Sequence, residues 1–532
     1  MVASVTVKDV KKMLSDGDEI AFLDVREHGQ YGDGHPFFSV PIPYSVFEAR
    51  LVELVPNLSA RTVLYDDGDG VADLAAARAE TLGYANVSIM SGGATAWGNA
   101  GYTLYKGEHV PSKAFGELLE LANHTPNITA EELVTLQERN ENCIIVDSRP
   151  FDEYHAFNIP GGICCPNGES PLRIGELVPD PETTIVVNCA GRTRSIIGAE
   201  TLRAFGVPNP VYALQNGTQG WFLSGYQREE GATRLYPDAA ISEEKLDEMR
   251  SRAALRAGET GIEYIEPEEA ATWLADGSRS TYLIDIRTRE EYEANGISGS
   301  RHALGGQLVQ SVDNWVGVRG GRIILMDNEM IRAPMMANWI HQIGYDVVVL
   351  KGGIDAIRDV VVPEVPLFEA KPVATITAGE LSGLQADGGR LVDLRSPRVY
   401  QACHIVGAEW SIRPRLERLA LAVDKPVVFI TNDNTVASLA AQRLGELGVG
   451  DVFRLSDDET AWRSVGLKLV ETLEDEADDS IELVYHWQHR NNPNGGDPAA
   501  AHAYLDWEIG LVDQLDDQER GSFRLSPSRD ST

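Results

Sequence analysis

The residues most able to do chemistry lie between Ile185 and Ser195. An apolar run, Ile185-Val186-Val187-Asn188, ends at Cys189 and is followed by Ala190, Gly191, Arg192, Thr193, Arg194 and Ser195. Helical spacing then begins at Ile196, Ile197, Ala199 and Leu202 and stops at Gly206, a residue suited to a C-terminal cap. A strand that turns into a helix aims successive backbone N–H groups inward, and such a nest binds anions. A thiol placed there is expected to ionise, because the helix N-terminus and nearby guanidinium groups favour negative charge. Gly191 permits close approach, and Arg192 and Arg194 add two cations able to pair with a multi-oxygen anion. That set suits two-step covalent transfer. A Cys189 thiolate is expected to attack the outer sulfur of an anionic donor such as thiosulfate, with the nest holding the resulting persulfide. Cyanide or a thiol then removes the sulfur. This cycle calls for no metal and no organic cofactor. A single cysteine at the end of a buried strand is ordinarily a small core residue, but two arginines at a strand-to-helix turn are poor core material.

The elements that position this loop occur four times. A short apolar strand ending in Asp-x-Arg appears as Asp24-Val25-Arg26, Asp147-Ser148-Arg149, Asp285-Ile286-Arg287 and Asp393-Leu394-Arg395, followed by Tyr31, Tyr154, Tyr292 and Tyr400. A second apolar strand follows in each copy, and the next residue is Asp66, Cys189, Asp327 or Thr431. The interval from the Asp of Asp-x-Arg to that residue is 42, 42, 42 and 38, and from there to a helix-ending glycine it is 17 in all four copies. A third strand leads to a turn that is glycine-rich in the first three copies, and then to Trp97, Trp221 or Trp462 in three of the four. Strands alternating with helices predict α/β units with a parallel sheet covered on both faces. Asp147 and Arg149 are expected to brace the fold rather than touch substrate, since the pair recurs in the cysteine-less copies.

The 532 residues suffice for several domains, and 43% hydrophobic content with 50 glycines fits ordinary globular protein. No apolar run reaches the roughly 18 residues a membrane span needs, and the first residues lack the pattern of a signal peptide, so a cytoplasmic location is expected. The net charge of −35 argues against nucleic acid or an anionic membrane as partner. It also requires any anion site to be locally positive. Five cysteines (Cys143, Cys164, Cys165, Cys189 and Cys403) suggest neither a disulfide framework nor a zinc site. Linkers are expected near 108–125, 233–260 and 364–374, the last marked by Pro363, Pro366 and Pro372. An acidic stretch from Glu471 to Asp479 precedes Leu483-Val484-Tyr485-His486-Trp487 and a helical pattern over 498–515 with Tyr504, Trp507 and Leu511. These last two segments are expected to be ordered and to pack on a domain or on a second subunit of a homodimer.

Taken together, Asp147-Ser148-Arg149, Glu153-Tyr154, Ile159-Pro160-Gly161, the loop from Cys189 to Arg194 and the Gly217 to Trp221 ending resemble the rhodanese superfamily of sulfurtransferases. The resemblance implies four tandem rhodanese-like domains, 1–108, 125–232, 258–364 and 372–471, each a small parallel sheet flanked by helices, with an acidic linker and C-terminal extension over 472–532. It implies that Cys189 is the persulfide-forming nucleophile and that Ala190 to Arg194 is the anion-binding loop. Four residues separate Cys189 from Arg194, similar to the sulfurtransferases rather than to the related phosphatases, whose loop is one residue longer. The paired arginines resemble the thiosulfate type. Where the family usually carries Gly-His before Ile-Pro-Gly, this chain has Phe157-Asn158. Asp66, Asp327 and Thr431 at the nucleophile position imply that domains one, three and four are inactive. The expected partners are a small anionic sulfur donor and a thiol or cyanide acceptor. An alternative is a persulfide carrier or scaffold that receives sulfur from a partner protein.

Overall fold

A computed structural model describes residues 2–139, 141–238, 240–358, 362, 368–471, 477–483 and 497–526. It contains four five-stranded parallel sheets with the same strand order. In the copy carrying Cys189 the order across the sheet is Asn127–Ile128, Val211–Leu214, Thr184–Asn188, Cys143–Asp147 and Ile163–Cys164. Alternate residues of these strands face opposite ways. Val146, Ile185 and Val187 pack with Ala199 and Leu202 on one face, while Ile145 and Val186 pack with Leu133 and Trp221 on the other. Burial on both faces explains why the strands read as continuous apolar runs rather than as alternation.

The recurrent spacing has its cause in strand register. Asp147 lies directly beside Asn188, the residue before Cys189. Asp24 lies beside Tyr65, Asp285 beside Met326, and Asp393 beside Ile430. The position after the second strand is therefore held one residue beyond a fixed Asp partner in every sheet. Each Asp-x-Arg folds back on itself. In copy two the Arg149 Nε and Nη2 donate to Asp147 at 2.9 and 2.7 Å, and Nη2 also donates to the Phe157 carbonyl at 2.6 Å. Arg26 and Arg395 likewise donate to the carbonyl eight residues on, that of Gly34 and of Cys403, and Arg287 to the Asn295 side chain. The tyrosines are equally regular: their hydroxyls donate to the carbonyls of Ser39, Gly162, Ser300 and Ala408, again eight residues on. His35 and His404 place a ring nitrogen on the carbonyls of Tyr31 and Tyr400, and Asn158 donates its amide to that of Tyr154. Asn158 thus substitutes for the histidine in a structural role.

The described residues form two compact units, one of residues 1–12, 21–108 and 366–484 with copies one and four, the other of 13–20, 109–365 and 485–532 with copies two and three. Two expectations about the connections need correction. The segment 108–125 is not a bare linker: Val110–Asn123 is a helix with Ala114, Phe115, Leu118 and Leu119 buried. Pro111 sits in its first turn, where the missing N–H costs nothing. Nor is 472–532 one extension. Residues 477–483 belong to the first unit and 497–526 to the second. Residues 484–487 of the apolar tail run, 472–476 of the acidic stretch, and Pro363 and Pro366 lie outside the described residues. The charged run within 233–260 is the helix Glu243–Glu259. Among the described residues no helix is long and apolar enough to cross a membrane.

Candidate active site

Cys189 sits at the carboxyl end of the central strand Thr184–Asn188, where ligands of open parallel sheets bind, and just before the helix Thr193–Phe205. Only 2% of the residue is exposed. Its loop is clamped from the far side. The Cys189 carbonyl accepts from Thr218 N at 2.8 Å, and the Ala190 carbonyl accepts from Gln219 N at 3.1 Å and from the Thr218 hydroxyl at 3.2 Å.

The cysteine-less copies show where such N–H groups converge. In copy three the Asp327 carboxylate accepts from the backbone N–H of Met330, Ile331 and Arg332 at 3.0, 3.0 and 2.8 Å. These positions correspond to Arg192, Thr193 and Arg194. In copy one the Asp66 carboxylate accepts from Gly68, Gly70 and Ala72 at 2.8, 3.0 and 2.9 Å, corresponding to Gly191, Thr193 and Ser195. Each carboxylate belongs to the residue at the position that Cys189 takes in copy two. In copy four the acceptor role passes to Asp433, which takes the N–H of Thr435 and Val436 at 2.7 and 3.1 Å.

The two arginines differ. Arg194 is held by Glu153, with Nη1 and Nη2 donating at 2.7 and 2.8 Å, and by Gln307 at 3.1 Å. Burial would push the Glu153 carboxyl up, but the Arg194 guanidinium holds it below the usual carboxylate range. Arg192 turns to the helix Val110–Asn123: its Nε and Nη2 donate to Glu117 at 2.7 and 2.8 Å, Nη2 also reaches Glu120, and Nη1 donates to Asn216 at 3.1 Å. Both cations are therefore neutralised by carboxylates. The expectation of a locally positive loop is not met by the guanidinium groups of Arg192 and Arg194, which are both paired with carboxylates.

The thiol also differs from expectation. Burial pushes Cys189 above the ordinary cysteine value. The Arg194 guanidinium and the Ser195 hydroxyl pull against that rise, and Glu508 adds to it. The Cys189 Sγ lies 3.6 Å from the Ser195 Oγ, whose own proton goes to the Arg192 carbonyl at 2.8 Å. Desolvation of a charge outweighs one guanidinium already shared with a carboxylate. The other cysteines lack this loop. Cys164 and Cys165 are fully buried, Cys165 within the apolar core, and burial raises both thiols. Asp147 and Arg149, both wholly buried, brace the floor: the Asn188 amide donates to Asp147 at 2.8 Å, and Ser148 N and Oγ donate to the Asn188 carbonyl at 2.9 and 2.8 Å.

Three residues escaped the sequence reading. Glu117 lies in the segment read as a linker, although Ala114, Phe115, Leu118 and Leu119 at helical spacing signalled a helix there. Gln219 sits inside the recognised turn before Trp221 but carried no chemical signature of its own. Glu508 lies more than three hundred residues from the loop it covers, and no local signal marks it.

Gly217 explains the recurrent glycine of the third turn. Its φ is +53°, and a Cβ there would lie 2.4 Å from the Cys189 carbonyl oxygen. Gly93 and Gly353 approach the carbonyls of Asp66 and Asp327 in the same way. Gly217→Ala is therefore expected to cost about 1–3 kcal/mol from combined backbone strain and overlap, and to displace the loop, read as a lower denaturation midpoint together with slower sulfur loading. Gly225→Ala, with φ of +82° and nothing within 4 Å, carries the strain alone and is expected to cost less.

Comparison with known proteins agrees with this geometry. A model of the Rhodanese-like domain matches residues 6–100, 129–224, 266–359 and 377–464. A crystal structure of a thiosulfate sulfurtransferase from Pseudomonas aeruginosa is 38% identical, with a TM-score of 0.86, and the match covers 99% of this chain and 100% of that one. An HTH-type transcriptional regulator of Mycobacterium tuberculosis is 33% identical over 126 residues, 24% of this chain and 54% of that protein. A Bacillus subtilis protein named as a candidate sulfur carrier is 28% identical over 126 residues, 21% of this chain and 66% of that protein. The chain thus spans about half to two thirds of the length of these two curated relatives. With the repeated sheet, the strand-end loop and a domain match over most of its length, the chain belongs to the rhodanese family.

Proposed function

We propose that the protein is a sulfurtransferase that carries sulfane sulfur on Cys189, taken from thiosulfate or a similar anionic donor and given to cyanide or another thiophilic acceptor. The observation that carries this reading is the convergence of N–H groups on Asp327 and Asp66, which occupy the position of Cys189 in the sister loops. The Pseudomonas aeruginosa thiosulfate sulfurtransferase, similar over the full chain, supports it.

The chemistry balances without an outside oxidant or reductant. The thiol loses its proton to solvent, and the thiolate attacks the sulfane sulfur of thiosulfate. A Cys189 Sγ–S bond forms, the donor's S–S bond breaks, and its electron pair leaves with sulfite. The persulfide anion then lies where Asp327 places its carboxylate in copy three. Cyanide attacks the outer sulfur, the Sγ–S bond breaks, and thiocyanate departs with the thiolate restored. Copies one, three and four lack a thiol at this position and take no part in the transfer. A protein acceptor would need its thiol to reach a cysteine that is 2% exposed, which favours small donors and acceptors over the carrier alternative.

Intact-mass analysis after incubation with thiosulfate tests the reading. The expected result is one added sulfur per chain, located on the Cys189 peptide and removed by cyanide. Sulfur on Cys164, Cys165 or another thiol, or none at all, overturns it.

A further inference from the structure

The C-terminal helix Pro498–Ile509 lies over the Cys189 loop within the same compact unit. Ala501, Tyr504 and Glu508 share the face turned to it. Ala501 packs on Ala190 among Phe157, Leu223 and Tyr504. The Tyr504 hydroxyl accepts from Lys113 Nζ at 2.7 Å, which ties the helix to Val110–Asn123 as well. Glu508 is 1% exposed. One of its carboxylate oxygens accepts from the Thr193 hydroxyl. The other, Oε2, has no hydrogen-bond partner and lies 3.2 Å from where a Cβ on Gly191 would be. Gln219 is also buried. Neither its Oε1 nor its Nε2 has a partner, and Nε2 lies 3.4 Å from that same point. Buried polar groups are nearly always paired, so an unpaired carboxylate oxygen and an unpaired amide meeting over Gly191 mark the place where a bound molecule is read.

We propose that Glu508 is the donor-selecting residue of this site: its carboxylate, fixed above Gly191 by Thr193, disfavours doubly charged sulfane donors relative to singly charged ones such as a thiosulfonate, whose sulfonyl oxygens Gln219 can meet. This rests on the reading of Cys189 as the sulfur-accepting thiol. The guanidinium groups at the loop are already taken by carboxylates. Arg192 is matched by Glu117 and Glu120, and Arg194 by Glu153. Glu508 is thus an added negative charge with no cation paired to it within salt-bridge distance among the described residues. The repulsion it exerts scales with donor charge, so it acts twice as strongly on thiosulfate as on a monoanion at the same place. With a monoanionic thiosulfonate the transfer remains balanced: Cys189 gains the sulfane sulfur and the sulfinate leaves with the electron pair.

The test compares persulfide formation on the full chain with thiosulfate and with methanethiosulfonate, in wild type, Glu508→Gln and Glu508→Ala. Removing the charge is expected to raise kcat/KM for thiosulfate about tenfold and for methanethiosulfonate about threefold, the square-root relation that the charge ratio requires. The preference for the monoanion therefore falls about threefold in both variants. A purely structural role moves both donors together, so an unchanged preference in variants that still load Cys189 overturns the proposal alone. If neither donor places sulfur on Cys189 in the wild type, the sulfurtransferase reading falls and the proposal with it. Should Glu508→Gln fold poorly, Glu508→Ala decides, because the preference is a ratio measured on folded protein.

Discussion

Cys189→Ser is expected to lower thiocyanate formation from thiosulfate and cyanide by at least about 10³-fold, the scale of losing a covalent nucleophile. Serine is close to isosteric, so the loop keeps its clamp from Thr218 and Gln219 and the protein should unfold at the wild-type midpoint. A hydroxyl at neutral pH is a poor nucleophile toward sulfur and cannot hold a persulfide. No other cysteine of the chain stands in a strand-to-helix loop of this kind, at the carboxyl end of a central strand. Cys164 and Cys165 are buried thiols raised by their surroundings. Cys143 and Cys403, only half-buried, are also raised, first by burial and then by the neighbouring carboxylates of Glu141 and Glu459. The check is a steady-state thiocyanate assay beside a denaturation curve. Residual turnover within tenfold of wild type would remove Cys189 from the mechanism.

The second large effect is on stability. Asp147→Ala leaves the Arg149 guanidinium wholly buried with its bidentate partner gone, and also strips the Asn188 amide of its acceptor. Removing one member of a buried ion pair typically costs about 3–5 kcal/mol, because the remaining charge is desolvated and unpaired. For a unit of roughly 300 residues that corresponds to a fall of about 5–8 °C in the transition that includes copy two. The double variant Asp147→Leu/Arg149→Met, with both charges replaced by apolar volume, is expected to recover much of the loss. Differential scanning calorimetry of the three proteins checks this. If the single variant were as stable as wild type, the pair would not be the brace described here. Because Asn188 precedes Cys189 and its carbonyl is held by Ser148, the same substitution should also slow sulfur loading.

These two effects differ in how far they could be read from sequence. Asp147, Arg149 and Cys189 were legible because a strand in fixed register converts a spatial relation into a fixed interval, and four copies repeat that interval. The strands themselves showed as apolar runs because the sheet is buried on both faces. The destination of the Arg192 guanidinium was not legible. Arginine beside a nucleophile has the same sequence signature whether it meets substrate or two glutamates, and those glutamates came from a helix masked by Pro111. The state of the thiol escaped for a related reason: helix and guanidinium effects follow from local sequence, whereas desolvation depends on what covers the loop. The cover, Ala501, Tyr504 and Glu508, arrives from the far end of the chain.

The aspartates of copies one and three have one further consequence. Asp66 and Asp327 are ligands tethered to their own loops, so the occupancy of those loops is intramolecular and independent of any solute concentration. The loop at Cys189 has no such tether. Under the transfer proposed above, its ordering is linked by mass action to the donor, so that the donor supplies a stabilisation that copies one and three obtain from their own chain.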